Sequence, residues 1–154
     1  MVSPNDSAKK VMDKVKYITV ATVDGNGQPW NTPVAGFHFD NDYTLYWASW
    51  QNNQHSKNIR SNNKIFIVIY DSTPTDAPTQ GVYIQAIASE LNEEEEVMQA
   101  ALVFGNDPYN TSDGKEYLND KPRRVYKAVP QKIWVNSDSE ITGNFIDIRV
   151  LADE

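Results

Sequence analysis

Residues 17–50 read YITVATVDGNGQPWNTPVAGFHFDNDYTLYWASW and contain three segments rich in β-branched and aromatic residues, separated by polar turns. Such residues favour strands, and the first turn, 24–27, has the Gly and Asn residues of a hairpin. The segment therefore predicts three antiparallel strands, at 16–23, 30–39 and 43–49. Because they follow one another through short turns, we expect them to lie side by side as a meander.

The rest of the chain adds helices and further strands. Unbroken apolar residues at 65–70 predict a strand buried on both faces, while Asn92 and Glu95 predict an N-cap and a capping box. Loops are expected at 71–79 and 105–122. The predicted elements are helix 4–15, a short helix 55–61, strands 64–70 and 81–91, a helix from 92 to about 104, and strands 123–135 and 144–151.

Strands dominate this order, and hairpins outnumber helical crossovers. The pattern argues against a doubly wound parallel sheet and favours a mainly β fold, an antiparallel barrel or sandwich with peripheral helices. A barrel also removes the exposed strand edges that several hairpins would otherwise leave. At 154 residues, we expect a single domain over 1–154, with a short helix before a barrel at about 16–151.

Composition excludes several classes of function. The chain has no cysteine, so disulfides, thiolate nucleophiles and cysteine-held metal or iron–sulfur sites are excluded. The net charge is −7, of which residues 1–60 contribute +1 and residues 61–154 contribute −8. Without a basic block we expect no nucleic-acid partner and no membrane binding. Residues 1–16 lack the apolar stretch of a signal peptide, so we expect a cytoplasmic protein.

Several catalytic motifs are missing or explained by simpler structure. Gly25-x-Gly27 runs into Pro29 and fits a hairpin better than a dinucleotide fingerprint. His38 and His55, the only histidines, lack the spacing of a metal helix, so no metal site is expected. The sequence contains no nucleophile elbow and no phosphate-binding Walker loop.

The end of the third strand and the start of the following short helix form the strongest candidate site. Free N–H groups and the helix dipole favour an anion at such a helix start. Ser49 and Ser56 offer hydroxyl donors, and Lys57 offers a positive charge. Trp47 and Trp50 offer flat apolar surface for a ring system. The alternative is a capped surface helix with an exposed lysine and two structural tryptophans.

A second feature is the segment Asn31-Thr32-Pro33-Val34. In a meander the start of the second strand lies beside the end of the third, which would place Thr32 near Ser49. The alternative is a proline that interrupts a strand near an edge or bulge.

In their order and spacing, these motifs resemble the flavin-binding split-barrel superfamily that includes pyridoxamine 5'-phosphate oxidase, in its general stress protein-like branch. The resemblance covers about residues 8–150. It is carried by the strand 17–23, the Asp-Gly-x-Gly-x-Pro turn, Thr32-Pro33-Val34, Leu45-Tyr46-Trp47-Ala48-Ser49, Ser56-Lys57-Asn58-Ile59, the strand from Gly81 and the late segment 126–134.

The resemblance implies a six-stranded split barrel and a homodimer that binds FMN non-covalently at the subunit interface. It implies that Ser56 and Lys57 bind the phosphate and that Asn31 and Thr32 lie beneath the cofactor. The remaining implied residues, which line the flavin and its ribityl chain or approach the ring from the partner subunit, are Trp47, Ala48, Ser49 and Trp134.

The sequence also departs from the oxidase that gives the superfamily its name. Thr32 and Ser56 stand where arginines are expected, and residues 146–151 lack the Arg-Leu-x-Pro segment that helps to hold pyridoxal phosphate. We therefore expect pyridoxamine 5'-phosphate oxidase-like chemistry on another small-molecule redox substrate, not vitamin B6 oxidation.

Three functions remain open at this point. The leading hypothesis is an FMN-dependent oxidoreductase, whose cofactor supplies the redox chemistry. The second is a non-catalytic module that binds or senses a flavin, a deazaflavin or a tetrapyrrole; a haem would need His38 or His55 as its ligand. The third is a barrel that acts only through protein contacts, with residues 65–70 as interface.

Overall fold

The computed structural model describes residues 4–73, 81–136 and 149–152, and within them the chain is mainly β. The elements are α1 (Pro4–Lys14), β1 (Tyr17–Val23), β2 (Pro29–Ala35), β3 (His38–Phe39), β4 (Leu45–Trp50), α2 (Gln54–Ser61), β5 (Lys64–Tyr70), β6 (Gly81–Glu90), α3 (Glu94–Leu102), a 3-10 helix (Gly114–Tyr117), β7 (Arg123–Asn136) and β8 (Arg149–Leu151).

All eight of these strands join one antiparallel sheet, in the order β2-β1-β5-β6-β7-β4-β3 with β8 paired to β7. The sheet curls into a half-barrel of the split-barrel type, as expected, although the described residues form eight strands instead of six. Among these residues, no helix is long and apolar enough to cross a membrane.

The expected meander is confirmed at both turns, through the β1–β2 and β3–β4 hairpins, but the predicted second strand breaks at Gly36 and β2 does not lie beside β4. β2 pairs with β1 as predicted, but β4 pairs with β3 and β7, and so lies at the opposite end of the sheet from β2. The chain leaves β2 at Gly36, whose φ of +65° ends the extended run predicted at 30–39. The second edge of β1 is taken by β5 instead.

The main core fills the concave side of the sheet. Alternate residues of the strands point inward, and α1 closes the core with Ala8, Val11 and Met12. The largest fully buried side chains of this core are Trp47, Tyr126, Met12, Ile18, Leu45, Ile67, Ile69, Ile84, Val20 and Val82.

β5 is buried on one face only, which corrects the expectation of burial on both. Ile65, Ile67 and Ile69 point into the core, whereas Phe66 and Val68 on the opposite face are half-buried. A continuous apolar run therefore does not mean that the single chain covers both sides of the strand.

A second, smaller core lies on the outer side of β4 and β7. α3 and the 3-10 helix cover Ala48 and Val125 there, with Phe104 and Tyr117 fully buried between them. α3 begins after Glu93, which makes no side-chain cap, so the predicted Asn92 cap and its capping box are wrong. Residues 74–80 and 137–148, which include most of the predicted 71–79 loop and the start of the 144–151 strand, lie outside the described residues.

Gly36 provides a test of this packing. A Cβ there would stand 2.7 Å from Asn110 Nδ2 and 2.9 Å from Tyr109 Cβ, at a φ that L side chains rarely adopt. We expect Gly36→Ala to lower the free energy of unfolding by about 2 kcal/mol or more, measured by chemical denaturation. Gly25→Ala is the matched control, because nothing lies within 4 Å of its Cβ. Equal stability of the two variants would contradict the packing described for Gly36.

Candidate functional site

The end of β4 places its residues alternately on the two sides of the sheet. Trp47 and Ser49 point toward the main core, whereas Ala48 lies in the second core and Trp50 is 56% exposed. Trp47 is fully buried and stacks on Tyr126, with ring centroids 5.6 Å apart. Of the four predicted site residues on this strand, only Trp50 presents a ring to the surface.

Helix α2 is joined to β4 and β1 by buried polar contacts. Ser49 Oγ lies 2.8 Å from His55 Nε2, and the Ser56 hydroxyl donates to the carbonyl of Trp50 at 2.9 Å. On the β1 side, Asn58 Nδ2 donates to the Thr22 hydroxyl at 2.9 Å. Since all five side chains are at most 8% exposed, these hydrogen bonds fix where α2 begins.

The N-terminus of α2 is left without a side-chain cap. Asn53 occupies the N-cap position but makes no capping hydrogen bond; its Nδ2 instead donates to Ser49 Oγ at 3.1 Å. The first turn contains no acidic residue, and Lys57 is exposed with no ion pair or side-chain hydrogen bond among the described residues. The positive end of the helix dipole and a lysine charge therefore lie together at the surface.

Asn31 and Thr32, the site residues predicted on β2, lie near α2, but not through the strand pairing that the sequence predicts. Asn31 is exposed and Thr32 is partly buried, with its hydroxyl accepting a hydrogen bond from the indole of Trp30 at 3.0 Å. The Trp30 carbonyl accepts from Thr22, which in turn binds Asn58 of α2. A helix, and not strand pairing, thus connects this segment to the end of β4.

Trp134 belongs to the outer face of the sheet. Its ring stacks on Phe66 with centroids 6.2 Å apart, and its strand neighbours are Tyr83 and Leu151. None of the contacts described for Trp134 reaches α2.

Burial controls the ionisation of two groups beneath α2. It lowers the pKa of His55 below its usual 6.5, so the imidazole is neutral near pH 7. It raises the pKa of the Tyr126 hydroxyl, which donates to Glu90 at 2.7 Å. Glu90 is also paired with Arg60, whose other nitrogen donates to the carbonyl of Gln51.

Sequence reasoning missed the residues that hold this site together, namely Thr22, Asn53, Asn58, Glu90 and Tyr126. One local signal was available: a run of polar residues leading into a short helix suggests an N-cap at Asn53. The contacts of Thr22 and Tyr126 span 36 residues each and leave no local pattern.

Two clefts of the described residues lie away from α2. One, of about 610 Å³, is lined by His38, Phe39 and Asp107, and His38 Nε2 lies 2.6 Å from the buried Asp107 carboxylate. The other, of about 680 Å³, lies beside the glutamates that open α3. The described residues contain no cluster of three or more acidic or histidine side chains that could hold a metal ion.

The curled antiparallel sheet is that of a split barrel. The chain matches the family profile described as Pyridoxamine 5'-phosphate oxidase over residues 5–137. It therefore belongs to that family. No significant match was found among curated protein sequences.

Solved structures agree on the fold. A haem-binding protein from Mycobacterium smegmatis is 16% identical, with a TM-score of 0.71, and the match covers 98% of this chain and 59% of that one. The haem storage protein HutZ from Vibrio cholerae is 20% identical, with a TM-score of 0.69, covering 82% and 90%. A candidate 5-nitroimidazole antibiotic resistance protein from Bacteroides thetaiotaomicron is 15% identical, with a TM-score of 0.65, covering 81% and 78%.

The lowered pKa of His55 predicts a pH dependence of stability. The unfolded chain binds a proton near pH 6.5, whereas the folded chain resists it. The free energy of unfolding should therefore fall as the pH drops below about 6.5.

Between about pH 7.5 and about pH 5.5, the melting temperature of His55→Gln should fall by less than that of the unmodified protein. Measuring both proteins at each pH separates His55 from the carboxylates, which titrate in both. Parallel losses in the two proteins would show that His55 is not held neutral by the fold.

Proposed function

We propose that the protein is an FMN-dependent oxidoreductase that binds its flavin non-covalently at the interface of a homodimer. The observation that carries the proposal is the uncapped, acid-free N-terminus of α2 with Lys57 exposed beside it, in a chain of the pyridoxamine 5'-phosphate oxidase family.

The start of α2 has the groups that a phosphate needs. Among the described residues, the backbone N–H groups of Gln54, His55 and Ser56 have no protein acceptor. Such groups bind anions well because the helix dipole adds to their hydrogen bonds. Lys57 supplies a compact positive charge.

Two exposed indole rings lie on β2 and β4, the strands that α2 contacts. The indoles of Trp30 and Trp50 are 48% and 56% exposed. Exposed tryptophan rings can cover an aromatic ring system and still reach water with their N–H groups. We assign Trp30, Trp50, Asn31 and Thr32 to contacts with the ribityl chain and the ring of the flavin.

A flavin supplies hydride and single-electron transfer when it is bound. The role of the chain's own residues is to bind its phosphate, to cover its ring and to admit a small-molecule substrate. We assign no side chain as nucleophile or general base, since the site at α2 presents neither a paired carboxylate nor a free imidazole.

The outer face of the sheet supports a homodimer. Phe66, Val68, Tyr83 and Trp134, which we call the outer-face patch, lie together on β5, β6 and β7 and are all half-buried. Apolar surface of this kind on a central strand is typical of a protein–protein interface. A second copy of the chain would complete the walls of a site that one subunit leaves open.

Haem is a less suitable ligand for the described residues. Of the two histidines considered as axial ligands, His55 is buried with its Nε2 against Ser49, and the Nε2 of His38 contacts Asp107. A deazaflavin would make the same phosphate contacts as FMN. A protein that only carries flavin, without catalysis, would use the same site. The experiment must separate both alternatives from an FMN-dependent enzyme.

The test is the visible spectrum of the purified protein, followed by reduction. We expect a flavin spectrum, release of FMN on denaturation, and bleaching by NADH or NADPH with transfer of electrons to an added acceptor. A haem or deazaflavin spectrum, or a colourless protein that does not take up FMN, would overturn the proposal. FMN that is bound but never turns over would indicate the non-catalytic alternative.

Lys57→Ala should weaken FMN binding by roughly ten- to a hundredfold, because it removes a charge-assisted hydrogen bond to the phosphate. The dissociation constant is measured by quenching of flavin fluorescence. Lys10→Ala, which removes an exposed lysine from α1, is the control and should leave it unchanged. Equal affinities of the two variants would place the phosphate elsewhere.

Val68→Glu should convert the dimer to monomers and lower the affinity for FMN, because it buries a charge in the outer-face patch. Analytical ultracentrifugation measures the first effect and fluorescence the second. Leu102→Glu makes the same kind of change at an exposed position of α3 and should alter neither. A stable Val68→Glu dimer would exclude this face as the interface.

A further inference from the structure

The cleft beside β3 has the size of a small-molecule site and lies apart from α2. Its volume is about 610 Å³, within the range of ligand pockets in proteins. The walls come from α1 and the residues after it, from residues 36–43 and from the loop 107–109. No residue of α2 lines this cleft, so a ligand bound there would not occupy the start of that helix.

The loop that carries Asp107 is held in place by buried polar contacts. One oxygen of the Asp107 carboxylate accepts the backbone N–H of Tyr109 at 2.6 Å and that of Asn110 at 3.2 Å. The Asn110 side chain donates to the Gly36 carbonyl at 2.7 Å and accepts from Arg123 at 2.6 Å. The cleft is therefore preformed, and a ligand does not have to order this loop when it binds.

His38 presents one nitrogen to the cleft. Its Nε2 lies 2.6 Å from the other oxygen of Asp107, whose side chain is 6% exposed. Because imidazole is more basic than a carboxyl group, the proton between them belongs to Nε2, and His38 donates. The ring packs edge to face on Phe104, with centroids 5.7 Å apart. Since Nδ1 has no hydrogen-bond partner among the described residues, it is the nitrogen that a ligand can use.

The charged side chains of the cleft leave one positive charge without a partner. The groups already paired are Lys9 with Asp13, His38 with Asp107, and Asp40 with the backbone N–H groups of its own turn. Lys16 is exposed and makes no ion pair or side-chain hydrogen bond in the part of the chain that the structure describes. An ammonium group and a protonated imidazole, which donates from both nitrogens, are both suited to a carboxylate.

An aromatic ring supplies flat apolar surface in the same cleft. Tyr109 is 45% exposed, and its ring meets that of Tyr17 edge to face with centroids 6.3 Å apart. Pro108 and Val15 line the cleft as well. Such surface favours a planar aromatic ligand, and the unpaired Lys16 favours a negatively charged one.

We propose that this cleft binds a small aromatic carboxylic acid. Lys16 and Nδ1 of His38 contact its carboxylate, and Tyr109 contacts its ring. Asp107 is a positioning residue, because it orients the imidazole through Nε2 and leaves Nδ1 to the ligand. Binding in the cleft does not require FMN at the start of α2.

The test uses benzoate and benzamide, which have nearly the same shape and differ in charge. NMR titration of the backbone amides gives the dissociation constants and shows where each probe binds. We expect benzoate to shift the amides of Gly36, His38 and Tyr109 and to bind about fivefold more tightly than benzamide. Equal affinities for the two probes, or no shift of these amides at about 10 mM benzoate, would overturn the proposal.

Lys16→Ala should abolish the preference for benzoate, because it removes the unpaired charge. Lys10→Ala is the matched control, since it removes an exposed lysine of α1 that does not line the cleft, and it should keep the preference. A preference that survives Lys16→Ala would contradict the assigned carboxylate contact.

His38→Gln separates ligand binding from the structural contact with Asp107. A glutamine amide can donate to Asp107 from near the position of Nε2 but has no group at the position of Nδ1. We expect about tenfold weaker binding of benzoate with the melting temperature and the FMN affinity unchanged. Unchanged benzoate affinity would show that His38 does not contact the acid. If this variant does not fold, Lys16→Ala still tests the site.

Repeating the benzoate titration with excess FMN shows whether the two sites are separate. The affinity for benzoate should stay the same. Competition between the two ligands, without any effect of the cleft variants, would place benzoate at α2 and overturn the proposal. Protein that binds benzoate in the cleft but takes up no FMN would overturn only the proposed function.

Discussion

The site depends on the buried polar contacts that hold α2 between the two ends of the sheet. β2 and β4 lie far apart in the strand order, and sheet pairing alone would not bring them together. Ser49 and Ser56 join the helix to β4, and Asn58 joins it to Thr22 of β1. Because buried polar groups are costly when unpaired, these contacts have one favourable arrangement. That arrangement fixes the position of the uncapped helix start, where Asn53 and Lys57 are exposed and His55 and Ser56 are buried.

Features with a local cause could be predicted from the sequence. The strand Lys64–Tyr70 and the hairpin between β1 and β2 follow from β-branched residues and turn chemistry. The short helix after β4 begins one residue before its predicted start. The candidate site, which combines a strand end, a helix start and Lys57, could be predicted from the order of the residues alone. The family match over residues 5–137 agrees with the predicted fold class.

Features that depend on contacts between residues far apart in the sequence could not be predicted. Nothing in residues 17–50 shows that β4 would pair with β7 and not lie beside β2, since pairing depends on contacts across the whole sheet. The sequence predicts that Ala48 and Trp47 share one site, yet alternation along the strand places Ala48 under α3. The run 65–70 predicts two buried faces because composition alone does not show whether the same chain covers the second face of a strand. Asn53 has the residue type of a cap, but its amide donates to the Ser49 hydroxyl and not its oxygen to the helix backbone.

The central claim is that the start of α2 binds the phosphate of FMN in a dimer. A crystal structure of the protein grown with FMN tests it most directly. We expect flavin between two subunits, with its phosphate at the backbone N–H groups of 54–56 and beside Lys57. Phosphate density elsewhere, for example in the cleft of His38 and Asp107, or a flavin bound by a single isolated subunit, would contradict it.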